Sequence, residues 1–309
     1  MSDPALPKSP APPASPALPT RRGEAAFDLS VREGAHIVDV LIEERCPKFA
    51  NHPTWPLVRP VLHTMLGYRK ARSMADQIAG MPGEAAFGVL SQMLQVRLEP
   101  QRLERIPATG RLVVVANHPT GLADGIAMWD LLRSVRRDVV FLANADALRV
   151  NPEFSDVIIP VEWVVDKRSP AKARETLRRA GEAFAQEKCV VIFPSGKLAK
   201  KEAGVLREQE WFSTFLSLAR KQGAPIAPIG ITAENSALFY ALARVHKELR
   251  DITLFHELLN KRGAAFGMAC GPLIDATKLS GEPEALSAAL RDHVSYELTR
   301  DPDRAFGGL

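Results

Sequence analysis

The segment Asn117-His118-Pro119-Thr120-Gly121-Leu122-Ala123-Asp124-Gly125 delivers an imidazole and a carboxylate, with five residues between them, just after the apolar run Leu112 to Ala116. A neutral imidazole takes a proton from a hydroxyl near pH 7, and a carboxylate on its other ring nitrogen fixes the tautomer and stabilises the imidazolium that forms. His118 is the candidate base and Asp124 its orienter. No Gly-x-Ser-x-Gly elbow is present, so the base has no nucleophile beside it and Ser195 is a poor candidate for one. The residues alone leave a second reading open, in which His118 caps a helix and Asp124 serves the N–H groups of its first turn.

Buried elements must carry this pair. Leu112 to Ala116 reads as a strand covered on both faces, and Pro119, Thr120 and Gly121 break it before a helix from about residue 125. His118 therefore sits on a strand-to-helix loop, beyond the carboxyl end of a strand, where α/β sheets bind ligands. A second loop, Phe193-Pro194-Ser195-Gly196-Lys197, follows the apolar run from Val190 in the same way, and a third strand spans 225–231. Further strands over 138–142, 157–161, 189–193 and 265–270 alternate with helices over 170–186, 209–221 and 282–298. This alternation predicts an α/β fold with a mostly parallel or mixed central sheet flanked by helices.

The preceding part reads as helical. Helices are expected over 30–45, closed by Pro47, over 61–79, stopped by Gly80 and Pro82, and over 84–95. The expected organisation is a disordered Pro-rich tail over 1–26, a helical region over 27–100 and an α/β domain over 101–309.

The order of blocks resembles a known family. Asn117-His118 with Asp124, then Lys167-Arg168, then Phe193-Pro194-Ser195-Gly196, then Ala224-Pro225-Ile226-Ala227-Pro228-Ile229 is similar to the four ordered blocks of the glycerolipid acyltransferases, the 1-acylglycerol-3-phosphate O-acyltransferase superfamily. Asn-His-Pro-Thr-Gly, with the later Asn235-Ser236-Ala237-Leu238-Phe239, is more similar to its bacterial hemolysin-like or lyso-ornithine-lipid branch. The family usually places four residues between His and Asp, so one extra residue is expected in the turn around Gly121. Its third block usually reads Phe-Pro-Glu-Gly-Thr-Arg, whereas Ser195, Lys197 and Leu198 replace the Glu, Thr and Arg here.

The resemblance implies transfer of a fatty acyl group from an acyl thioester, acyl-CoA or acyl-carrier protein, to a hydroxyl of a lysolipid. No bound cofactor or metal is implied. Asn117, Gly125, Lys167, Arg168, Pro194, Ser195, Gly196 and Lys197 become the substrate-binding candidates, with N–H groups near Gly125 or Gly196 as oxyanion donors. The acceptor headgroup stays open because the Arg used on an acceptor phosphate is absent from its place. Lys197 or Arg168 can stand in as a point charge. One alternative is a 1-acylglycerol-3-phosphate acyltransferase; another, outside enzymes, is a peripheral lipid-binding scaffold with a structural His/Asp pair.

Composition narrows the partners. No stretch of the 309 residues approaches the roughly 20 apolar residues of a membrane span. The tail lacks the apolar core of a signal peptide. Trp55, Leu57, Val58, Leu62 and Leu66 lie close to Arg59, Arg69, Lys70 and Arg72, a mix suited to an anionic membrane surface and equally to packing with a solvated basic face. With a net charge of +4, the expected setting is cytoplasmic and peripheral at the inner face of the membrane, with no nucleic-acid partner. Cys46, Cys189 and Cys270 form no Cys-x-x-Cys pair and read as buried small hydrophobes. His256-Glu257 begins like a zinc-protease helix, but Asn260 stands where the second imidazole is needed.

Overall fold

A computed structural model describes residues 26–162 and 164–308, and the expected tail over 1–26 lies outside them apart from Ala26. The N-terminal part comprises α1 (Ile37–Arg45), α2 (Pro47–Ala50), α3 (Trp55–Met65), α4 (Tyr68–Ile78) and α5 (Gly83–Leu94). Helix α1 starts later than expected, where the His36 ring accepts the N–H of Val38 at 3.1 Å. The single helix expected over 61–79 is two, because Gly67 at φ +68° turns the chain between α3 and α4.

The rest follows as β1 (Arg97–Gln101), β2 (Leu112–Ala116), α6 (Leu122–Arg133), β3 (Val139–Asn144), α7 (Asp146–Val150), β4 (Ile158–Val161), α8 (Pro170–Ala185), β5 (Cys189–Ile192), β6 (Lys200–Glu202), β7 (Val205–Arg207), α9 (Thr214–Gln222), β8 (Ile226–Thr232), α10 (Ala237–Val245), α11 (Lys247–Asp251), α12 (Leu254–Leu259), β9 (Ala265–Cys270) and α13 (Pro283–Asp292). Strand β1 straddles residue 100, where the helical region was expected to end.

Seven strands form one sheet in the order β1-β9-β8-β2-β5-β3-β4. The five from β8 to β4 are mutually parallel, while β9 runs antiparallel to β8 and carries β1 parallel to itself. This is the mostly parallel, helix-flanked sheet that the alternation implied. Strand β2 is completely buried and splits its side chains between two cores, as the period of two requires. Leu112, Val114 and Ala116 join the N-terminal helices and α6, whereas Val113 and Val115 join α8, α9 and α13.

Because β8, β2 and β5 are adjacent and parallel, the loops leaving their carboxyl ends emerge at one edge. That register brings together three sequence blocks that are far apart along the chain. Among the described residues, no helix is long and apolar enough to cross a membrane.

Candidate active site

His118 and Asp124 meet on the loop between β2 and α6. Asp124 is completely buried on the first turn of the helix, while the His118 side chain keeps 20 % exposure. Nδ1 of His118 lies 3.0 Å from Oδ2 of Asp124, off the line of a hydrogen bond, so the pair is at ion-pair distance without full alignment. Such contacts commonly tighten only when substrate is bound. Asp124 also accepts the N–H groups of Thr120 (2.8 Å) and Gly121 (2.9 Å) and the Thr120 hydroxyl (2.5 Å). The capping arrangement and the imidazole contact thus coexist on one carboxylate.

Gly121 makes the tight loop possible. Its φ of +86° with ψ −124° is strained for a residue with a side chain, and a β-carbon there would stand 2.7 Å from Cδ2 of Leu198. Leu198, at the position of the family's third-block Arg, therefore packs against the His118 loop.

The second loop closes over the imidazole. The Phe193 ring stacks on His118, with centroids 4.4 Å apart and planes inclined by 27°. The carbonyl of His118 accepts the N–H of Ala199 at 3.0 Å. Ser195 is buried and its hydroxyl donates to the Lys197 carbonyl at 2.8 Å, while the Gly196 N–H donates to the Phe193 carbonyl at 2.9 Å. Both groups are therefore engaged within their own turn. Lys197 is exposed beside this loop, and Gly125 lies on α6 next to Asp124.

Asn117 joins the first loop to the third block. Its side-chain amide donates to the Ile231 carbonyl at 2.9 Å and accepts the Ile231 N–H at 2.7 Å, so both ends are committed to β8.

Lys167 and Arg168 stand at the approach to α8, which is capped by Ser169, and they border different cavities. Lys167 lines a cavity of about 950 Å³ together with the charged residues Arg45, Arg149, Asp146 and Glu162 and apolar ones such as Phe27 and Val40. Arg168 lies 5.5 Å from the Phe212 ring centroid and lines a mostly apolar cavity of about 310 Å³ with Leu142, Ile192, Pro194 and Phe215. Pro194 thus connects the second loop to an apolar recess.

One further residue at the site was not apparent from the sequence. Glu208, just after β7, accepts the main-chain N–H of His118 at 3.0 Å and the indole N–H of Trp211 at 3.2 Å. Burial pushes its carboxyl above the usual carboxylate range, opposed by the N–H groups of His118 and Trp211. It lies 90 positions from His118 and belongs to no block, so only the tertiary structure reveals it.

The segment that begins like a zinc-protease helix has structural partners. Glu257 accepts from Ser236 and from Lys261 instead of facing a second imidazole. Among the described residues, no group of three or more His, Cys, Asp or Glu side chains converges as metal ligands. All three cysteines are buried and unpaired, as expected, and burial raises Cys46 to about 11 and Cys189 and Cys270 to about 12.

An α/β sheet with a His/Asp pair at the carboxyl ends of its parallel strands defines a class of site suited to base-assisted transfer. Residues 97–232, from β1 to the end of β8, match the protein-family model described as Acyltransferase. Two lyso-glycine lipid O-acyltransferases are among its relatives. That of Phocaeicola vulgatus is 26% identical over 187 residues, covering 58% of this chain and 65% of that protein. That of Bacteroides thetaiotaomicron is 27% identical over 159 residues, covering 51% and 56%. The chain spans less than two thirds of the length of either relative. The crystal structure of the 1-acyl-sn-glycerophosphate acyltransferase PlsC from Thermotoga maritima aligns with a TM-score of 0.46 and 16% identity, covering 87% of this chain and 99% of that one.

Proposed function

We propose that this protein is an O-acyltransferase that moves a fatty acyl group from an acyl thioester, on CoA or acyl-carrier protein, to a hydroxyl of a lysolipid. The observation that carries this reading is the 3.0 Å approach of the partly exposed His118 to the buried Asp124 at the mouth of the parallel strands. It is supported by the acyltransferase match over the same residues.

A thioester is already activated, so the protein has to align the acceptor hydroxyl and remove its proton. Nε2 of His118 takes that proton as the oxygen attacks the thioester carbonyl, and Asp124 stabilises the imidazolium. The new C–O bond forms, the C–S bond breaks, and the proton passes from His118 to the departing thiolate. The mostly apolar cavity beside Pro194 receives the acyl chain, while Lys197, Arg168 and Lys167 engage acidic groups of acceptor or donor. Gly125 lines the acceptor side.

The acceptor we favour carries an amino-acid headgroup instead of a phosphate. The relatives are named for lyso-glycine lipid, and Leu198 packs on Gly121 at the position where the family carries its phosphate-binding Arg. In this organisation the α/β domain over 101–309 performs the chemistry. The helical region over 27–100 holds the protein peripherally on an anionic membrane surface, at the cytoplasmic face.

The test is release of free thiol from acyl-CoA and acyl-carrier protein with a panel of lysolipids that includes lyso-glycine lipid, lyso-ornithine lipid and lysophosphatidic acid. Turnover with an amino-acid headgroup, reduced by roughly 10² to 10⁴ in folded His118→Ala, supports the reading. Preference for lysophosphatidic acid overturns the headgroup assignment. Near wild-type transfer by His118→Ala overturns the mechanism, and absence of transfer with every pair favours a lipid-binding scaffold.

A further inference from the structure

The polar groups around the imidazole are tied down from several parts of the chain. The Asn117 amide is locked to Ile231, the His118 carbonyl accepts from Ala199, and Asp124 holds the N–H groups of Thr120 and Gly121. The N–H of His118 itself is held by Oε2 of Glu208 at 3.0 Å. This last tie comes from outside the parallel strands, at the end of the β6–β7 hairpin.

Glu208 is itself rigidly held. It is 8% exposed, its second oxygen accepts from Trp211, and its own N–H donates to the Tyr296 hydroxyl at 3.1 Å. Its carboxylate lies against Ser195, where the small side chain replaces the Glu usual in the family's third block. The hairpin thus returns a carboxylate to the loop whose own sequence lacks one.

We propose that Glu208 is a positioning residue for acyl transfer: by clamping the His118 N–H, its buried carboxylate fixes the direction in which the imidazole presents Nε2. The proposal rests on the reading of His118 as the base. Fixing a peptide group next to the reacting ring matters because a displacement of about 1 Å can cost about 10²-fold in rate. Asp124 alone holds the ring off the hydrogen-bond line, so the loop's main-chain anchors have to supply the remaining orientation.

The test uses Glu208→Gln, which keeps the side-chain shape but places an amide NH₂ against one of two N–H donors, and Glu208→Ala, which leaves both donors unpaired. NMR gives a readout that needs no turnover. In Glu208→Ala, amide exchange at His118 should speed at least about tenfold and the imidazole signals should shift while the melting transition stays cooperative. An unchanged His118 amide and ring in a folded variant overturns the proposal.

Kinetics gives the second readout. Turnover should fall about 10- to 100-fold with KM for the thioester little changed, and the loss should largely disappear when Glu208→Ala is made in a His118→Ala background. An equal fold-loss in both backgrounds overturns the positioning role and makes Glu208 a general structural residue. Full activity of His118→Ala alongside a released His118 amide would overturn the base reading, and with it the positioning role, while leaving the loop anchor in place. The two failures are therefore distinguishable.

Discussion

The ring of Phe193 covers one face of the His118 imidazole at 4.4 Å between centroids, joining the third sequence block to the first. Adjacent parallel strands β2 and β5 impose this meeting, because both chains leave the sheet at the same edge. Removing the aromatic face while preserving most of the volume isolates its effect. Phe193→Leu should cost about 1 kcal/mol of stability, the worth of an aromatic pair beyond its buried area, and lower turnover several-fold. Phe193→Tyr should retain most of both. Steady-state kinetics and denaturant unfolding of the two variants check the contrast, and equal activity in Leu and wild type would deny the stack any catalytic consequence.

Gly121 provides a backbone prediction. Its φ of +86° and the 2.7 Å approach of a β-carbon to Leu198 act together in Gly121→Ala, which should lose about 1 to 3 kcal/mol of stability. Turnover should also fall, since the Gly121 N–H is one of the bonds that holds Asp124. Trimming the neighbour in Gly121→Ala/Leu198→Ala relieves the contact but not the dihedral strain, so only part of the stability should return. Full recovery in urea unfolding would show that the contact alone mattered.

These same elements show why part of the fold was legible in sequence. Strands β2, β5 and β8 are short apolar runs ended by Pro, Gly or polar residues, so hydrophobicity marks them directly, and the loops after β2 and β5 carry the candidate site residues. Strand β1 gave no such signal, because Arg97-Leu98-Glu99-Pro100-Gln101 lies at the sheet edge and is mostly exposed. Hairpin β6–β7 is short and largely exposed, and its turn is marked by the positive φ of Ala203 and Gly204.

Two helices were shorter than their patterns suggested. Residues 208–212 are drawn into contacts with His118 and Pro194, so α9 begins at Thr214, and α13 passes into a π turn over His293–Glu297. Glu208 follows the same logic: tertiary contacts determine its role, and no local spacing announces it. At the N-terminus, the apolar residues read as one surface divide. Trp55 is buried and Leu62 and Leu66 pack against the core, while Leu57 and Val58 remain outside.

The buried thiols carry a pH prediction. Burial raises Cys46 to about 11 and Cys189 and Cys270 to about 12, against 9.0 for a free thiol. A folded-state pKa above the unfolded value means that this contribution is fully present below about pH 9 and is lost as pH rises toward 12. Cys189→Ala should therefore show a flatter decline of stability than wild type between those limits. At pH 8 a thiol reagent should label the native protein only as fast as it opens, and mass spectrometry during turnover should find no acyl-cysteine or acyl-serine. A trapped acyl adduct would replace direct transfer by a two-step mechanism.

The exposed side of α3 supplies the last prediction. Leu57, Val61 and Met65 are 78%, 60% and 64% exposed, and Arg69, Lys70 and Arg72 lie exposed just beyond on α4. Apolar groups that insert and cations that meet lipid phosphates make separable contributions. Each cation contributes about 1 kcal/mol at an anionic surface and is screened by salt, whereas apolar insertion is not screened. Replacing Arg69, Lys70 and Arg72 together by Gln should release much of the protein from anionic liposomes and remove the salt dependence of binding, while sparing activity on micellar substrate. Replacing Leu57, Val61 and Met65 together by Ser should weaken binding at every salt concentration. If both triple variants sediment with anionic liposomes as wild type does, this ridge is a solvated helix face and the protein reaches its lipid through another surface.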